Sequence, residues 1–219
     1  MARTLLLDLD GTLVDTVPDL AAALNRLMRS RGLTVFSPEQ VTAMVGDGVA
    51  VLVARAFAAH DRLPDDAALV DFVADYEDHV AVDSRLYPNV LPVLTSLVRD
   101  DWRLAVCTNN PEQAARRLLQ AVGVLPLLCA VGGGDSFPVR KPDPAHLLAT
   151  LARAAGTTDA ALMVGDHHND VVAARGAGIP SIFAGWGYGS AGMADGCAAF
   201  ARDIAEAAAI ANRLLPRPV

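Results

Sequence analysis

Two carboxylates, Asp8 and Asp10, stand two residues apart at the end of the apolar run that begins at residue 4. Hydroxyl, amide, lysine and acidic side chains follow other apolar runs in the same way. These further clusters are Thr108-Asn109-Asn110, Lys141 in the segment 140–144, and Asp166 and Asp170 in the segment 165–170. One such cluster is unremarkable because Asp and Asn start turns and cap helices. Four clusters that converge on one edge of a sheet would form a reactive site.

This set of side chains suits phosphoryl transfer. Asp8, Asp10 and Asp166 can offer oxygen ligands to a small hard cation, and Mg²⁺ usually binds a few carboxylates together with water and phosphate oxygens. The cation and Lys141 would neutralise the charge on a phosphate, and the Thr108 hydroxyl would hold its oxygens. Asp8 is then free to attack phosphorus. Asp10 is placed to protonate the leaving alkoxide and later to accept a proton from water.

Composition excludes several classes of function. The 219 residues are 53% hydrophobic and 20% charged, which suits one or two compact domains. The net charge is −7, and no basic run or aromatic-plus-basic stripe occurs, so no nucleic-acid partner is expected. No apolar run reaches the roughly 18 residues that a membrane span needs. Of the 18 basic residues, 17 are arginine and Lys141 is the single lysine.

The elements that must position these side chains alternate along most of the chain. Short apolar runs predict strands at residues 4–9, 103–107, 127–131, 161–164 and 181–184, and helical patterns occur at about 88–100, 111–122, 143–155, 168–177 and 201–214. Continuously apolar strands separated by helices indicate a doubly wound parallel sheet of the α/β class. Ligands of such sheets bind beyond the carboxyl ends of the strands.

Residues 15–82 interrupt the alternation. Helical patterns occur there at about 18–31, 37–44, 48–60 and 64–81, with no strand between them, and Ser37-Pro38-Glu39-Gln40 has the form of a capping box. Four consecutive helices are too many for one crossover. We therefore expect an inserted all-helical cap over the site, formed by residues 15–82, and a catalytic core formed by residues 1–14 and 83–219.

Cysteine use and the N-terminus favour a cytoplasmic location. The first eight residues lack the basic start and long apolar stretch of a signal peptide. Cys107, Cys129 and Cys197 are an odd number without metal-ligand spacing. The first two lie in apolar, strand-like segments, so we expect buried free thiols in a reducing compartment.

The four clusters resemble the four motifs of the haloacid dehalogenase superfamily and occur in the family's order. The matching segments are Asp8-Leu9-Asp10-Gly11-Thr12-Leu13-Val14-Asp15-Thr16, Thr108-Asn109, Lys141-Pro142, and Gly165-Asp166 with Asp170. The resemblance covers the core from end to end and implies a Rossmann-like core with a helical cap. A dehalogenase is disfavoured because its chemistry does not need the second aspartate, Asp10.

The resemblance implies a role for each matching residue. Asp8 would be the nucleophile and Asp10 the acid and base, while Thr108 and Lys141 would bind phosphate with help from Asn109. Asp8, the Asp10 carbonyl oxygen and Asp166 would bind Mg²⁺. Asp170 would support that metal shell or fix Lys141.

Within the superfamily, several segments are similar to the bacterial phosphoglycolate phosphatase group. The cap segment Val45-Gly46-Asp47-Gly48-Val49, followed by Arg55, is one of them. Gly46 and Arg55 are therefore candidate substrate-binding residues, although Arg55 could equally pair with a cap acid. Three residues depart from the group: Asp47 and Asn89, where Asn and Gly are more usual, and His167 in place of the usual Ser.

The expected reaction is hydrolysis of a small phosphorylated metabolite, with 2-phosphoglycolate as the best single substrate. A sugar-phosphate phosphatase, a phosphomutase or a pyrophosphatase of the same superfamily remains an alternative, as does a non-catalytic binding module. The protein is expected to be a monomer or a homodimer. His167 and His168 predict a helix start, with one ring tuning access to the site, and not a metal site. Adjacent histidines are expected to point apart, and no Cys or third His joins them.

Overall fold

A computed structural model describes residues 3–217 of the protein. Its main sheet has six parallel strands in the order β5-β4-β1-β6-β7-β8. These strands are β1 (Arg3–Leu7), β4 (Trp102–Cys107), β5 (Leu128–Gly132), β6 (Ala161–Gly165), β7 (Ser181–Ala184) and β8 (Ala199–Ala201). The strand order confirms the expected doubly wound α/β class.

Helices cover both faces of the sheet. They are α5 (Val90–Arg99), α6 (Glu112–Ala121), α7 (Pro144–Arg153), α8 (His168–Gly176) and α9 (Ile204–Leu214). Successive side chains of a strand point to opposite faces. In β1, Leu5 and Leu7 accordingly join the large core beneath α5, α6 and α9, while Leu6 joins the smaller core beneath α7 and α8. Burial on both faces explains why β1 is continuously apolar.

Four further helices lie between β1 and the return of the chain to the sheet. They are α1 (Val17–Ser30), α2 (Pro38–Thr42), α3 (Val49–Ala58) and α4 (Ala68–Asp78). The predicted capping box forms at the start of α2, where Ser37 and Gln40 bond each other's backbone N–H groups. A short antiparallel pair, β2 (Val14–Asp15) and β3 (Arg85–Leu86), brings both ends of this helical segment together.

This arrangement supports a proposed division of the chain into two parts. We propose the cap as residues 15–82 and the core as residues 1–14 and 83–219, with β2 and β3 at the junction. Residues 1, 2, 218 and 219 of that core lie outside the described part of the chain. Within residues 3–217, no helix is both long and apolar enough to cross a membrane.

Three local features differ from the sequence-based expectation. The strand β8 and the β2–β3 pair were not expected, because each contains only two or three residues. Cys107 is buried as expected, but Cys129 is exposed. The expectation for Cys129 was wrong because β5 is an edge strand, and the alternate side chains of an edge strand are incompletely covered.

Candidate active site

The candidate site lies beyond the carboxyl ends of three adjacent strands. Asp8 follows β1, Thr108 follows β4 and Asp166 follows β6. These three strands are neighbours in the sheet because β1 pairs with both β4 and β6. The backbone N–H of Asp8 donates to Val164 at 2.9 Å, so the parallel pairing extends to the residue that carries the first carboxylate.

Lys141 lies at the centre of a buried charge cluster. Its Nζ atom is 2.8 Å from Oδ1 of Asp8 and 2.6 Å from Oδ1 of Asp170, and the residue is only 2% exposed. Burial by itself lowers the pKa of a lysine, but here Asp170 and Asp8 outweigh burial and raise the pKa of Lys141 above its ordinary value. Lys141 therefore stays a cation at the nucleophile candidate.

Asp10 is held by amide and hydroxyl donors. The Asn110 amide nitrogen lies 3.1 Å and 3.2 Å from its two carboxylate oxygens, and the Thr108 hydroxyl lies 3.4 Å from Oδ2. The same amide nitrogen lies 3.1 Å from the Tyr76 hydroxyl oxygen. Burial, followed by the charge of Asp8, raises the pKa of Asp10 to about 6. A carboxyl that titrates near neutrality suits a group that both gives and accepts a proton.

The sequence did not predict that Asn110 contacts Asp10 or that Tyr76 contacts Asn110. Asn110 belongs to a strand-end cluster that was recognised, but it received no role of its own. Its position directly after Thr108 and Asn109 was the only available signal. Tyr76 lies in α4, about 30 residues before that cluster in the chain. No spacing rule relates it to Asp10.

Three carboxylates form a potential cation site. Oxygen atoms of Asp8, Asp166 and Asp170 lie within 4.8 Å of one another, and all three residues are buried. Burial, followed by the charges of Asp8 and Asp170, raises the pKa of Asp166 to about 8. A buried, oxygen-only donor set with excess negative charge fits a hard divalent cation such as Mg²⁺.

Backbone geometry keeps this acidic cluster open. Gly11 has φ +77, and a Cβ atom there would lie 2.3 Å from Oδ2 of Asp166. Asp166 accepts hydrogen bonds from the Thr12 hydroxyl at 3.1 Å and from the Tyr188 N–H at 2.7 Å. Glycine is therefore needed at position 11 both for the left-handed turn and for the close approach of the chain to Asp166.

A partly open cavity connects this charge cluster with the cap. Its polar wall comes from the core and its apolar wall from the cap. The lining residues are Asp8, Asp10, Leu20, Val45, Gly46, Gly48, Val49, Leu52, Thr108, Asn109, Asn110, Asp166, His167 and Tyr188. A concave space with polar groups on one wall and apolar side chains on the other suits a small molecule.

The similarity of the chain to known proteins matches this geometry. A family model described as haloacid dehalogenase-like hydrolase matches residues 2–178. The chain belongs to this hydrolase family. The resemblance of its four motifs to that superfamily is thereby confirmed.

Two relatives of this hydrolase are named phosphoglycolate phosphatase and are each 40% identical to it. The protein from Agrobacterium fabrum matches over 185 residues, which are 83% of this chain and 79% of that protein. The protein from Rhodospirillum rubrum matches over 196 residues, which are 86% of this chain and 81% of that protein. A crystal structure of a predicted phosphoglycolate phosphatase from Haemophilus somnus aligns with a TM-score of 0.86 and 30% identity, covering 95% of this chain and 97% of that one.

The cap loop of this hydrolase, residues 45–48, is tied to the core by amides. The carbonyl oxygen of Gly46 accepts from the Asn109 amide at 3.0 Å and from the Asn169 amide at 3.2 Å. The Asn169 amide also lies 2.7 Å from Oδ1 of Asp47, and the Asn109 amide donates to the Lys141 carbonyl at 2.9 Å. Gly46 and Asn109, two of the expected substrate-binding residues, thus meet at the cavity.

Arg55 does not reach the cavity. Its guanidinium donates to Oδ2 of Asp47 at 2.5 Å and to the carbonyl oxygen of Met44 at 2.9 Å. The residue is also absent from the cavity lining. Of the two roles left open by the sequence, the structure contains the pairing with a cap acid, and contact of Arg55 with a substrate stays a prediction.

The two adjacent histidines begin α8 as expected. His167 is the N-cap, and its Nδ1 accepts from the Asn169 N–H at 3.3 Å. Burial is the main cause that lowers the pKa of His167 to about 4. The rings of His167 and His168 do not point apart, since their centroids are 4.2 Å from each other. They approach Asp47, but its carboxylate is already paired with Arg55.

Proposed function

We propose that this hydrolase is a Mg²⁺-dependent phosphatase that cleaves 2-phosphoglycolate to glycolate and phosphate through a phosphorylated Asp8. The observation that carries the proposal is the contact of Asp8 Oδ1 with Lys141 Nζ at 2.8 Å, at the cavity wall that also contains Asp10. A carboxylate, a fixed ammonium group and a carboxyl that titrates near neutrality are the parts that phosphomonoester hydrolysis through an acyl phosphate requires.

The reaction would proceed in two displacements at phosphorus. A carboxylate oxygen of Asp8 forms a bond to phosphorus as the ester P–O bond breaks, and the leaving oxygen takes a proton from Asp10. Water then attacks the same phosphorus atom and gives a proton to Asp10 while the bond to Asp8 breaks. Asp8 and Asp10 return to their starting forms, so one ester and one water become one alcohol and one phosphate.

The proposed Mg²⁺ ligands are Asp8, the Asp10 carbonyl oxygen and Asp166. When bound, Mg²⁺ would offset the negative charge of phosphate and of the surrounding carboxylates. Asp170 was expected to support the metal shell or to fix Lys141. Its contact with the Lys141 Nζ atom at 2.6 Å supports the second role. Lys141 and the Thr108 hydroxyl would bind the oxygens of the phosphate.

Three observations support 2-phosphoglycolate as the substrate. The cap loop bounds one side of the cavity, as binding of a small ester requires. The N-terminal end of α3, at Gly48 and Val49, lines it and would favour an anionic group. Relatives at 40% identity carry the name phosphoglycolate phosphatase.

A panel of phosphate compounds tests this proposal. 2-Phosphoglycolate should be hydrolysed with the highest kcat/KM in a set that includes sugar phosphates, other phospho-acids and pyrophosphate. Faster turnover of a sugar phosphate or of pyrophosphate would contradict the substrate. Conversion of a sugar phosphate to its isomer, dependent on a sugar bisphosphate and without release of phosphate, would indicate a phosphomutase instead.

The nucleophile and the metal have separate tests. Asp8→Asn should eliminate turnover, and persistent activity in that variant would contradict the role of Asp8. Removal of Mg²⁺ with a chelator should abolish activity and its return should restore it. Unchanged turnover in the chelator would contradict the proposed metal dependence.

A further inference from the structure

His167 occupies a position between the catalytic carboxylates and the cap. It follows Asp166 directly, lines the cavity and is the N-cap of α8. Two hydrogen bonds hold it there: its backbone N–H donates to Asp170 at 3.0 Å, and its Nδ1 accepts from Asn169 at 3.3 Å. The imidazole therefore has a fixed orientation and does not act as a free surface side chain.

The capping contact determines which ring nitrogen carries the proton. Nδ1 uses its lone pair to accept the Asn169 N–H, so a neutral His167 carries its proton on Nε2. In the part of the chain that the structure describes, no hydrogen bond or ion pair to a protein group occupies Nε2. His167 thus offers one N–H donor to the cavity.

The Nε2 edge of the ring lies against Gly46 of the cap loop, and both residues line the cavity. A Cβ atom built on Gly46 would lie 2.8 Å from His167 Nε2, which shows how closely the ring approaches the cap loop. Gly46 has φ +119 and no side chain, and this leaves room for the imidazole. The phosphate end of a substrate belongs with Asp8 and Thr108, whereas the other end belongs beneath the cap loop, beside His167.

The other side-chain donors around the cavity are already engaged. No arginine or lysine is among its lining residues. The Asn109 amide donates to two backbone carbonyls, and the Asn110 amide contacts Asp10 and Tyr76. Arg55 is neutralised by Asp47. This leaves the Nε2–H of His167 as the free side-chain donor on the cap side.

We propose that the Nε2–H of His167 recognises the non-phosphate end of the substrate by donating to an anionic oxygen, such as a carboxylate. The proposal rests on the proposed phosphatase function and names a specificity-determining residue for it. A hydrogen bond to a charged acceptor contributes enough that its loss should weaken binding by about tenfold to a hundredfold.

His167→Ser is the informative variant. Serine is a good N-cap, so the start of α8 keeps its hydrogen bond while the Nε2 donor is removed. His168→Ala is the matched control, because His168 is adjacent and exposed and does not line the cavity. Both substitutions are made in the Asp8→Asn background, which allows substrates to bind without turnover.

Dissociation constants are measured by calorimetry, with Mg²⁺ present, for 2-phosphoglycolate, ethyl phosphate and inorganic phosphate. His167→Ser should raise the dissociation constant of 2-phosphoglycolate by about tenfold or more. It should leave the dissociation constants of ethyl phosphate and inorganic phosphate within about twofold of their starting values. His168→Ala should change none of them. Equal weakening of 2-phosphoglycolate and ethyl phosphate would overturn the proposal, because His167 would then only seat the cap loop.

The same measurements separate this inference from the proposed function. If the Asp8→Asn protein with intact His167 binds 2-phosphoglycolate no more tightly than ethyl phosphate, the proposed substrate is wrong. If it prefers 2-phosphoglycolate and His167→Ser keeps that preference in full, the substrate stands and the role of His167 is wrong.

Discussion

The amide nitrogen of Asn110 lies 3.1 Å and 3.2 Å from the two carboxylate oxygens of Asp10. It also contacts the hydroxyl of Tyr76, which comes from cap helix α4. Asn110 and Tyr76 are almost fully buried. The proposed acid and base of the reaction is thus oriented by one core amide, and that amide is in turn held by the cap.

Asn110→Ala should shift the pH dependence of turnover. The pKa of Asp10 is raised from its ordinary value to about 6, and the Asn110 amide opposes this rise because it favours the carboxylate form. In the proposed reaction the first displacement needs protonated Asp10, whereas the second needs its carboxylate to accept a proton from water. When the second displacement limits turnover, kcat therefore falls as the pH drops through the pKa of Asp10. Without Asn110 the pKa rises further, and the acid limb of a kcat profile between pH 5 and 9 should move to higher pH.

Loss of orientation should also lower kcat of Asn110→Ala at its optimum by about tenfold or more. Tyr76→Phe is the milder companion variant, because it removes one hydroxyl contact and leaves the amide in place. An acid limb that stays at its original pH in Asn110→Ala would show that Asn110 does not govern the protonation of Asp10.

Lys141→Met should reduce both stability and activity. It leaves the buried carboxylates of Asp8 and Asp170 without their cation, and loss of one partner from a buried ion pair costs about 3–5 kcal/mol. Urea denaturation at pH 7 in a chelator measures this change. Arg26→Met is the control, because its pair with Asp75 is partly exposed and should contribute at most about 1 kcal/mol. Similar losses in the two variants would refute a structural role for the Lys141 cluster.

Asp47→Asn should improve binding of an anionic substrate. The change removes a negative charge from the cap loop and releases Arg55, while an asparagine oxygen can still accept from the Asn169 amide. Surface charges of this kind contribute about 0.2–1 kcal/mol, so KM for 2-phosphoglycolate should fall by about two- to fivefold with kcat little changed. Asp65→Asn breaks an ion pair with Arg31 in the cap and should leave KM unchanged. A higher KM in Asp47→Asn would mean that Asp47 mainly positions the loop.

His146 should make folding stability depend on pH. Its Nδ1 accepts from the Lys141 N–H at 3.1 Å, and its ring nitrogen Nε2 lies 3.0 Å from the Gly133 carbonyl. Burial, followed by the charge of Lys141, lowers the pKa of His146 to about 4. The unfolded chain therefore binds a proton more readily, so this contribution to stability is complete above about pH 6.5 and is lost as the pH falls towards 4.

His146→Gln cannot titrate and should show a smaller loss of unfolding free energy between pH 7 and pH 5 than the wild-type protein. Urea denaturation at the two pH values provides the comparison. His79→Gln, at a largely exposed position, should behave like the wild type. Identical pH dependence in the wild-type protein and His146→Gln would contradict the assignment to His146.

Much of the candidate site could be predicted because strand ends obey a simple topological rule. Asp8, Thr108 and Asp166 each follow an apolar run, and parallel strands bring such residues to one edge. The contact of Tyr76 with Asn110 could not be predicted, since it depends on how cap helix α4 docks against the core. The pairing of Arg55 with Asp47 was one of two roles left open, because sequence does not specify how the cap loop folds back on α3. The exposure of Cys129 likewise depends on β5 being at the sheet edge, and sequence periodicity does not specify the order of strands.

The burial of Lys141 has a practical consequence. It is the single lysine of the chain, it is 2% exposed, and it stays protonated between two carboxylates. An amine-reactive reagent can therefore modify a lysine side chain only when Lys141 becomes exposed and its ion pairs with Asp8 and Asp170 separate. The rate of that labelling, followed by mass spectrometry, would measure how often Lys141 becomes exposed. The measurement requires no engineered probe.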